Sequence, residues 1–257
     1  MSADFADGIA KASQTIQSYT YPLLRVGDNA LPEVFASCVF LEIAGSVYLV
    51  TAAHAIRGNP SGLLTRGSGH LIDVTGQANI SRSEGKDHFD IAAIRMDEQT
   101  IRQHAISVIS QRMFSTSVEV LSPHSRAICG FPVSMNKQVH SLDRDTKTFT
   151  GKCYTYFGTA VFGGDFSAFA KSSTVHVGLE YLPGTDDTGR VMSSPPSPRG
   201  ISGGGAWLVP DLSHPQLVFL EGIVIECHKR ARKMYVFSTR LEHVIDFINQ
   251  THKVSVH

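Results

Sequence analysis

The sequence has no surplus of charge of either sign. Its 23 lysines and arginines are matched by 23 aspartates and glutamates, for a formal net charge of zero over 257 residues. A general nucleic-acid binder normally carries a basic excess, so that class is excluded and no nucleic-acid partner is expected. No apolar run approaches the length needed to span a bilayer, and no membrane partner is expected. The opening residues, Met1-Ser2-Ala3-Asp4-Phe5-Ala6-Asp7, are acidic and lack the basic-then-apolar order of a secretory leader. Cysteine is sparse. Cys38, Cys129, Cys153 and Cys227 are widely spaced, and no two form a CxxC pair. That pattern gives neither a zinc site nor a disulfide framework, and the expectation is small buried thiols in a reducing, cytoplasmic setting. No cofactor is expected. No period of about 20–50 residues recurs, which excludes a repeat array.

What is present is the composition of an ordinary globular chain, 42% hydrophobic and 18% charged. The length allows one large domain or two small ones. Phe5, Ile9, Ala10, Ala12 and Ile16 fall on one stripe, which predicts an amphipathic helix over 4–18, ending before Tyr21-Pro22. Apolar, β-branched runs at 35–43 and 47–51 flank Ala44-Gly45-Ser46 and predict a hairpin. Residues 57–69 read as a loop from their Gly, Asn and Pro content. Residues 70–80 and 91–96 hold further strand candidates, and 97–117 read as a linker with some helical tendency. Strand candidates then follow at 118–121, 127–132, 147–149, 152–157, 173–179, 216–220, 222–225 and 234–237. Leu241, Val244, Ile245 and Ile248 predict a C-terminal helix over 239–251. Many short strands between turns argue for an all-β sandwich or barrel.

Three places in this pattern carry chemistry. In Arg199–Trp207, Gly200, Gly203, Gly204 and Gly205 surround a single serine, Ser202. So many glycines are costly to order, which suits a turn whose backbone N–H groups must converge on developing negative charge beside a projecting hydroxyl. A glycine-rich hairpin with an incidental serine is the alternative. His54 ends the strand candidate at 47–51 among alanines. It either faces a cleft or is a core histidine bonded to backbone. Asp90 opens the apolar run at 91–96. It is either a strand-terminal turn residue or a carboxylate placed to orient an imidazole.

The order His54, Asp90, Ser202 is that of the chymotrypsin group. Thr51-Ala52-Ala53-His54 resembles the T-A-A-H signature of trypsin-like serine proteases. Asp90-Ile91-Ala92-Ala93-Ile94 resembles their D-[LI]-A-x-[LI] segment, and Gly200-Ile201-Ser202-Gly203-Gly204 resembles G-x-S-G-G. Gly130-Phe131-Pro132, Gly222-Ile223-Val224 and Val236–Arg240 resemble the opening of the second barrel, the cleft strand and the C-terminal closure. The resemblance covers roughly residues 34–250. It implies an all-β fold of two antiparallel six-stranded barrels with the active site between them. Residues 1–30 would form an N-terminal helix and extension, 31–112 the first barrel with His54 and Asp90, and 113–257 the second barrel with Ser202 and the C-terminal helix.

By the same resemblance the chain is a serine endopeptidase acting on a protein or peptide substrate. Ser202 is the nucleophile, His54 the base, Asp90 its orienting carboxylate, and the N–H groups of Gly200 and Ser202 the oxyanion hole. Pro196, Ile225, Glu226 and Cys227 would line the substrate cleft. Glu226 either attracts a basic side chain or is an exposed glutamate beside the basic run at 228–233. Three departures narrow the type. Ile201 stands where digestive members carry an aspartate paired with a new N-terminus, so no such activation step is expected. Ala55 stands where secreted members have a disulfide cysteine, which is more like the disulfide-free bacterial or intracellular type. Pro196 stands where trypsin carries its specificity aspartate, so trypsin specificity is not implied. A protease-fold peptide-binding module with silenced catalysis is the second reading, and a regulatory partner protein is left open. An esterase on an α/β-hydrolase fold is disfavoured, because that fold orders its residues Ser, Asp, His.

Overall fold

The computed structural model describes residues 3–27, 31–57, 63–67, 70–81, 89–115, 125–137, 142–143, 148–161, 166–185 and 195–254. Helix α1 (Ala3–Ser18) leads into β1 (Thr20–Val26), β2 (Pro32–Ile43) and β3 (Ser46–Ala52). The short helix α2 (Ala53–Arg57) follows, then β4 (Leu63–Gly67), β5 (His70–Asp73), β6 (Ala78–Ile80), β7 (Ile91–Arg95) and α3 (Glu98–Gln103). The second half contains β8 (Ser125–Gly130), β9 (Leu142–Asp143), β10 (Thr148–Phe149), β11 (Tyr154–Ala160) and β12 (His176–Thr185). It ends with β13 (Gly205–Val209), β14 (Phe219–Arg230), β15 (Lys233–Arg240) and α4 (Leu241–Val254).

The expected β-rich fold is present, with one of its two halves closed. Strands β11-β12-β15-β14-β13-β8 form a closed six-stranded antiparallel barrel. The first half forms a nine-stranded antiparallel sheet in the order β6-β7-β3-β2-β1-β4-β5-β10-β9, taking β9 and β10 from the second half. No closure of this sheet is seen among the described residues. The strand expected at 118–121 lies outside the described residues.

Strand β2 is buried on both faces of the first sheet. Val39, Leu41 and Ile43 enter one core cluster, while Ala36, Cys38 and Phe40 enter another on the opposite face. A strand buried on both faces reads as a nearly continuous apolar run, which residues 34–41 show with Ser37 as the one polar residue, before the exposed Glu42. The β2–β3 turn is a two-residue loop with positive φ at Ala44 and Gly45, suited to the twist of the strands.

Four strands, β1, β4, β9 and β13, are missing from the sequence reading. Residues 20–26 form β1, paired with β2 along its length. Pro22 contributes no N–H, and on the other edge the β4 ladder reaches only Leu24 and Arg25, so no ladder bond is asked of it there. Residues 63–67, within the expected loop, form β4, with Leu63, Thr65 and Gly67 buried and Leu64 and Arg66 between them less so. The largest core cluster joins the two halves. It packs Leu41, Val50 and Ile91 of the sheet against Trp207, Leu220 and Ile225 of the barrel, with Ile16 of α1 and Val244 and Ile248 of α4.

Candidate active site

The pairing of β3 with β7 sets the first part of the site. Ala52 lies opposite Ile91, so the residue before Ile91 meets the residues after Ala52. Ala53 N–H donates to the Asp90 carbonyl at 2.7 Å, and His54 N–H donates to Asp90 Oδ1 at 3.1 Å. Asp90 Oδ2 lies 2.6 Å from His54 Nδ1. Asp90 has a φ of +47°, a left-handed conformation that a short polar side chain tolerates better than most. Its neighbour Phe89 accepts from Thr239 Oγ1 of β15, which ties the segment to the barrel.

The Asp90 side chain is 9% exposed and the His54 side chain 50%. The carboxylate is therefore shielded while the imidazole opens to solvent, and the core-histidine alternative does not fit. Arg57, one turn on in α2, approaches Asp90 Oδ1 at 3.8 Å and donates to the Ser81 carbonyl. In the tautomer whose Nδ1–H faces Asp90, the imidazole leaves Nε2 as an acceptor.

Ser202 sits between two forced glycines. Pro198-Arg199-Gly200-Ile201 turn back on themselves, Ile201 N–H donating to the Pro198 carbonyl at 3.0 Å, with Gly200 at φ +98°. Gly203, at φ +87°, donates to the Val224 carbonyl at 2.7 Å. A Cβ at 203 would lie 2.0 Å from the Ser37 carbonyl oxygen and 2.1 Å from Thr51 Oγ1, so only glycine fits. Ile201, 1% exposed, anchors the turn in the barrel interior beside Ile128, Tyr154 and Val224.

The Arg199 carbonyl accepts from Val133 N–H at 2.8 Å. In a trans peptide the N–H points opposite to the C=O, so Gly200 N–H points away from Val133. Among the described residues, the N–H groups of Gly200 and Ser202 have no hydrogen-bond acceptor. Two donors left open beside a hydroxyl are what an oxyanion-binding turn requires.

The halves meet at Ser37 and Thr51. Ser37 N–H donates to the Ser202 carbonyl at 2.8 Å, and Thr51 Oγ1 donates to the Ser37 carbonyl at 2.7 Å. The serine turn is thus tied to β2 and to the end of β3, three residues before His54. Ser202 Oγ and the His54 ring are not hydrogen-bonded in this structure. Such bonds are often long without substrate.

No protein-family model matches the sequence, and no curated protein does. Among solved structures, the serine protease domain of the Sesbania mosaic virus polyprotein is similar at 12% sequence identity. The likeness covers 88% of this chain and 90% of that one, with a TM-score of 0.49.

The four residues expected in the substrate cleft are differently disposed. Pro196 is half-buried, and its carbonyl accepts from Tyr181 Oη at 2.9 Å. The Ile225 side chain is fully buried in the inter-sheet core, leaving only its backbone for a ligand. Glu226 is not the solvated glutamate of one reading. It pairs with Lys171, whose side chain is 5% exposed, and with His228 at 2.9 Å. Burial works to raise the Glu226 carboxyl, but the Lys171 ammonium and His228 outweigh it and hold the group below its usual range. Cys227 is exposed at residue level, though burial of its thiol and the neighbouring Glu226 charge push that thiol up to about 11. The basic run beyond it forms the exposed β14–β15 turn.

Ser37, backed by Thr51, carries the junction, and Arg57 flanks Asp90 within the first half. Sequence reading quotes Thr51 only as the start of the T-A-A-H run and singles out neither Ser37 nor Arg57. The available signal was a hydroxyl at 37 in an otherwise apolar run, fully buried in the fold. Among the described residues, no cluster of three or more His, Cys, Asp or Glu side chains could hold a metal, and no helix is long and apolar enough to cross a membrane.

Proposed function

We propose that the chain is a chymotrypsin-like serine endopeptidase. The reading rests on one observation: the 2.6 Å His54–Asp90 contact stands at the sheet end that Ser37 and Thr51 tie to the Ser202 turn. In this mechanism Ser202 Oγ attacks a peptide carbonyl while His54 Nε2 takes its proton. Asp90 holds the tautomer and stabilises the imidazolium that forms. The oxyanion accepts hydrogen bonds from Gly200 and Ser202 N–H. His54 then gives its proton to the leaving amine, the acyl group stays on Ser202, and water activated by His54 releases it. The first half contributes His54 and Asp90 and the second Ser202, which supports a functional division near residue 112.

Ile201 in the aspartate position argues for activity without a new N-terminus, because an apolar side chain packed in the barrel replaces an ion pair as the anchor. Free Cys38, Cys129, Cys153 and Cys227 support a disulfide-free type and a reducing, cytoplasmic setting. The substrate is an accessible peptide segment, and Pro196, Glu226 and Cys227 are the candidate contacts. The lack of a Ser202–His54 hydrogen bond favours the second reading, a peptide-binding module with idle catalysis.

Incubation with an unfolded protein such as reduced casein separates the two. The peptidase reading expects new N-termini from the wild type and none from Ser202→Ala or His54→Ala. Binding of casein without cleavage, by folded wild-type protein, would favour the module.

A further inference from the structure

We propose that Ser37 is a positioning residue for the oxyanion-binding amides: its side chain holds the peptide group after Gly200 directly and braces, through Phe131, the segment that holds the one before it. The inference rests on the peptidase reading of Ser202. A serine hydroxyl has one proton to give and two lone pairs to receive. Ser37 Oγ gives its proton to the Gly200 carbonyl at 2.7 Å and accepts Phe131 N–H at 2.8 Å. The residue is 0% exposed, so bulk water does not compete for either bond.

Gly200 needs such a restraint. It is the residue whose N–H must face the substrate oxygen, and it is also the residue least able to hold a conformation by itself. The peptide group after it is held at both ends: its carbonyl by Ser37 Oγ, and its N–H, on Ile201, by the Pro198 carbonyl. The peptide group before it is held by Val133 N–H on the Arg199 carbonyl. Val133 lies two residues beyond Phe131, whose own N–H is on Ser37 Oγ. One hydroxyl therefore locks the Phe131–Val133 segment to the Gly200 turn. The Ser37 main chain adds the bond to the Ser202 carbonyl, and Thr51 Oγ1 holds Ser37 in turn. If the lock is removed, the Phe131–Val133 segment can shift and take Val133 N–H off the Arg199 carbonyl; rotation of the Arg199–Gly200 peptide then turns the Gly200 N–H away from the oxyanion position, and the competent turn becomes a fraction of the population. The serine of an apolar strand in the first half thereby controls charge stabilisation in the second, without a charged anchor at 201.

The test measures phosphonylation of the full chain by a fluorophosphonate probe, whose phosphoryl oxygen occupies the oxyanion position after attack by Ser202. The rate is resolved into the limiting rate constant kinact and the half-saturation constant KI. For Ser37→Ala the expected result is a fall in kinact of about 10- to 100-fold, with KI within about twofold of wild type and an unchanged pH profile. Ser37→Cys keeps the shape with a much weaker hydrogen-bonding group and is expected to slow likewise, which covers an alanine variant that does not fold. Thr65→Val is the control. Thr65 is also fully buried in the first sheet, with its hydroxyl on the Pro22 carbonyl, and its loss is expected to lower Tm without changing kinact. Labelled wild type with a folded Ser37 variant reacting at the wild-type kinact would overturn this inference alone. Unlabelled wild type would overturn the peptidase reading and the inference with it.

Discussion

Asp90 has a backbone role, and under the proposed function a chemical one, and two substitutions separate them. Asparagine tolerates the same left-handed backbone but can donate to His54 Nδ1 and so favours the wrong tautomer. Asp90→Asn is expected to leave Tm nearly unchanged and to lower kcat by about 10⁴-fold. Asp90→Ala is expected to lose both, because alanine at φ +47° is strained. Glu226 permits a pH argument. Its carboxyl is held below its ordinary value, so the stability it confers is full above that value and is lost as pH falls through the native one. Glu226→Gln leaves the nearly buried Lys171 ammonium without its carboxylate, which is expected to cost up to about 3 kcal/mol at pH 7. Urea unfolding followed downward from pH 7 should show the gap from wild type shrinking below the usual glutamate range. A gap that stays constant to pH 3 would count against the ion pair.

At the level of elements, the glycine turn and the hairpins decide most. Gly203→Ala would place a methyl group within 2.1 Å of both the Ser37 carbonyl oxygen and Thr51 Oγ1, at a φ of +87°. A loss of roughly 3 kcal/mol or more is expected, read by denaturant titration, together with loss of any hydrolysis. The β14–β15 turn offers the opposite case. Ala231 and Arg232 both have positive φ, a conformation that Asn-Gly adopts more readily. Ala231→Asn with Arg232→Gly is expected to add about 1 kcal/mol, raising Tm by about 2–4 °C. The same elements mark what the sequence could and could not disclose. The β2–β3 hairpin, β7, β15 and both terminal helices were legible, because their apolar spacing is local. Strand β1 was hidden by Pro22, which reads as a helix terminator and whose missing N–H matters only once its neighbours are known. Strand β4 was hidden by the glycines around it. His54, Asp90 and Ser202 could be picked out from their local settings. The bonds from Ser37 to Gly200 and from Arg57 to Asp90 could not, because they join residues whose proximity only the assembled sheets create.

Across the whole molecule, the core does not divide at the boundary between halves. Trp207, the single tryptophan, is fully buried where β13 meets the first sheet and the two terminal helices. Because Ile16, Leu41, Val50, Ile225 and Val244 share that cluster, the halves are expected to unfold together. Tryptophan emission and far-UV circular dichroism should give coincident urea transitions. Separate transitions would mean that each half carries an independent core and that the junction at Ser37 is weaker than its bonds suggest. The joint core also gives a physical reason for the proposed site to lie where it does: His54, in α2 after β3, and Ser202, in the turn before β13, come from different halves that this core packs together. The most direct test of that claim is to treat the folded protein with a fluorophosphonate and map the modified residue by mass spectrometry. The account predicts stoichiometric label on Ser202, lost in His54→Ala. Folded wild-type protein that takes no label, or carries it on another residue, would contradict it.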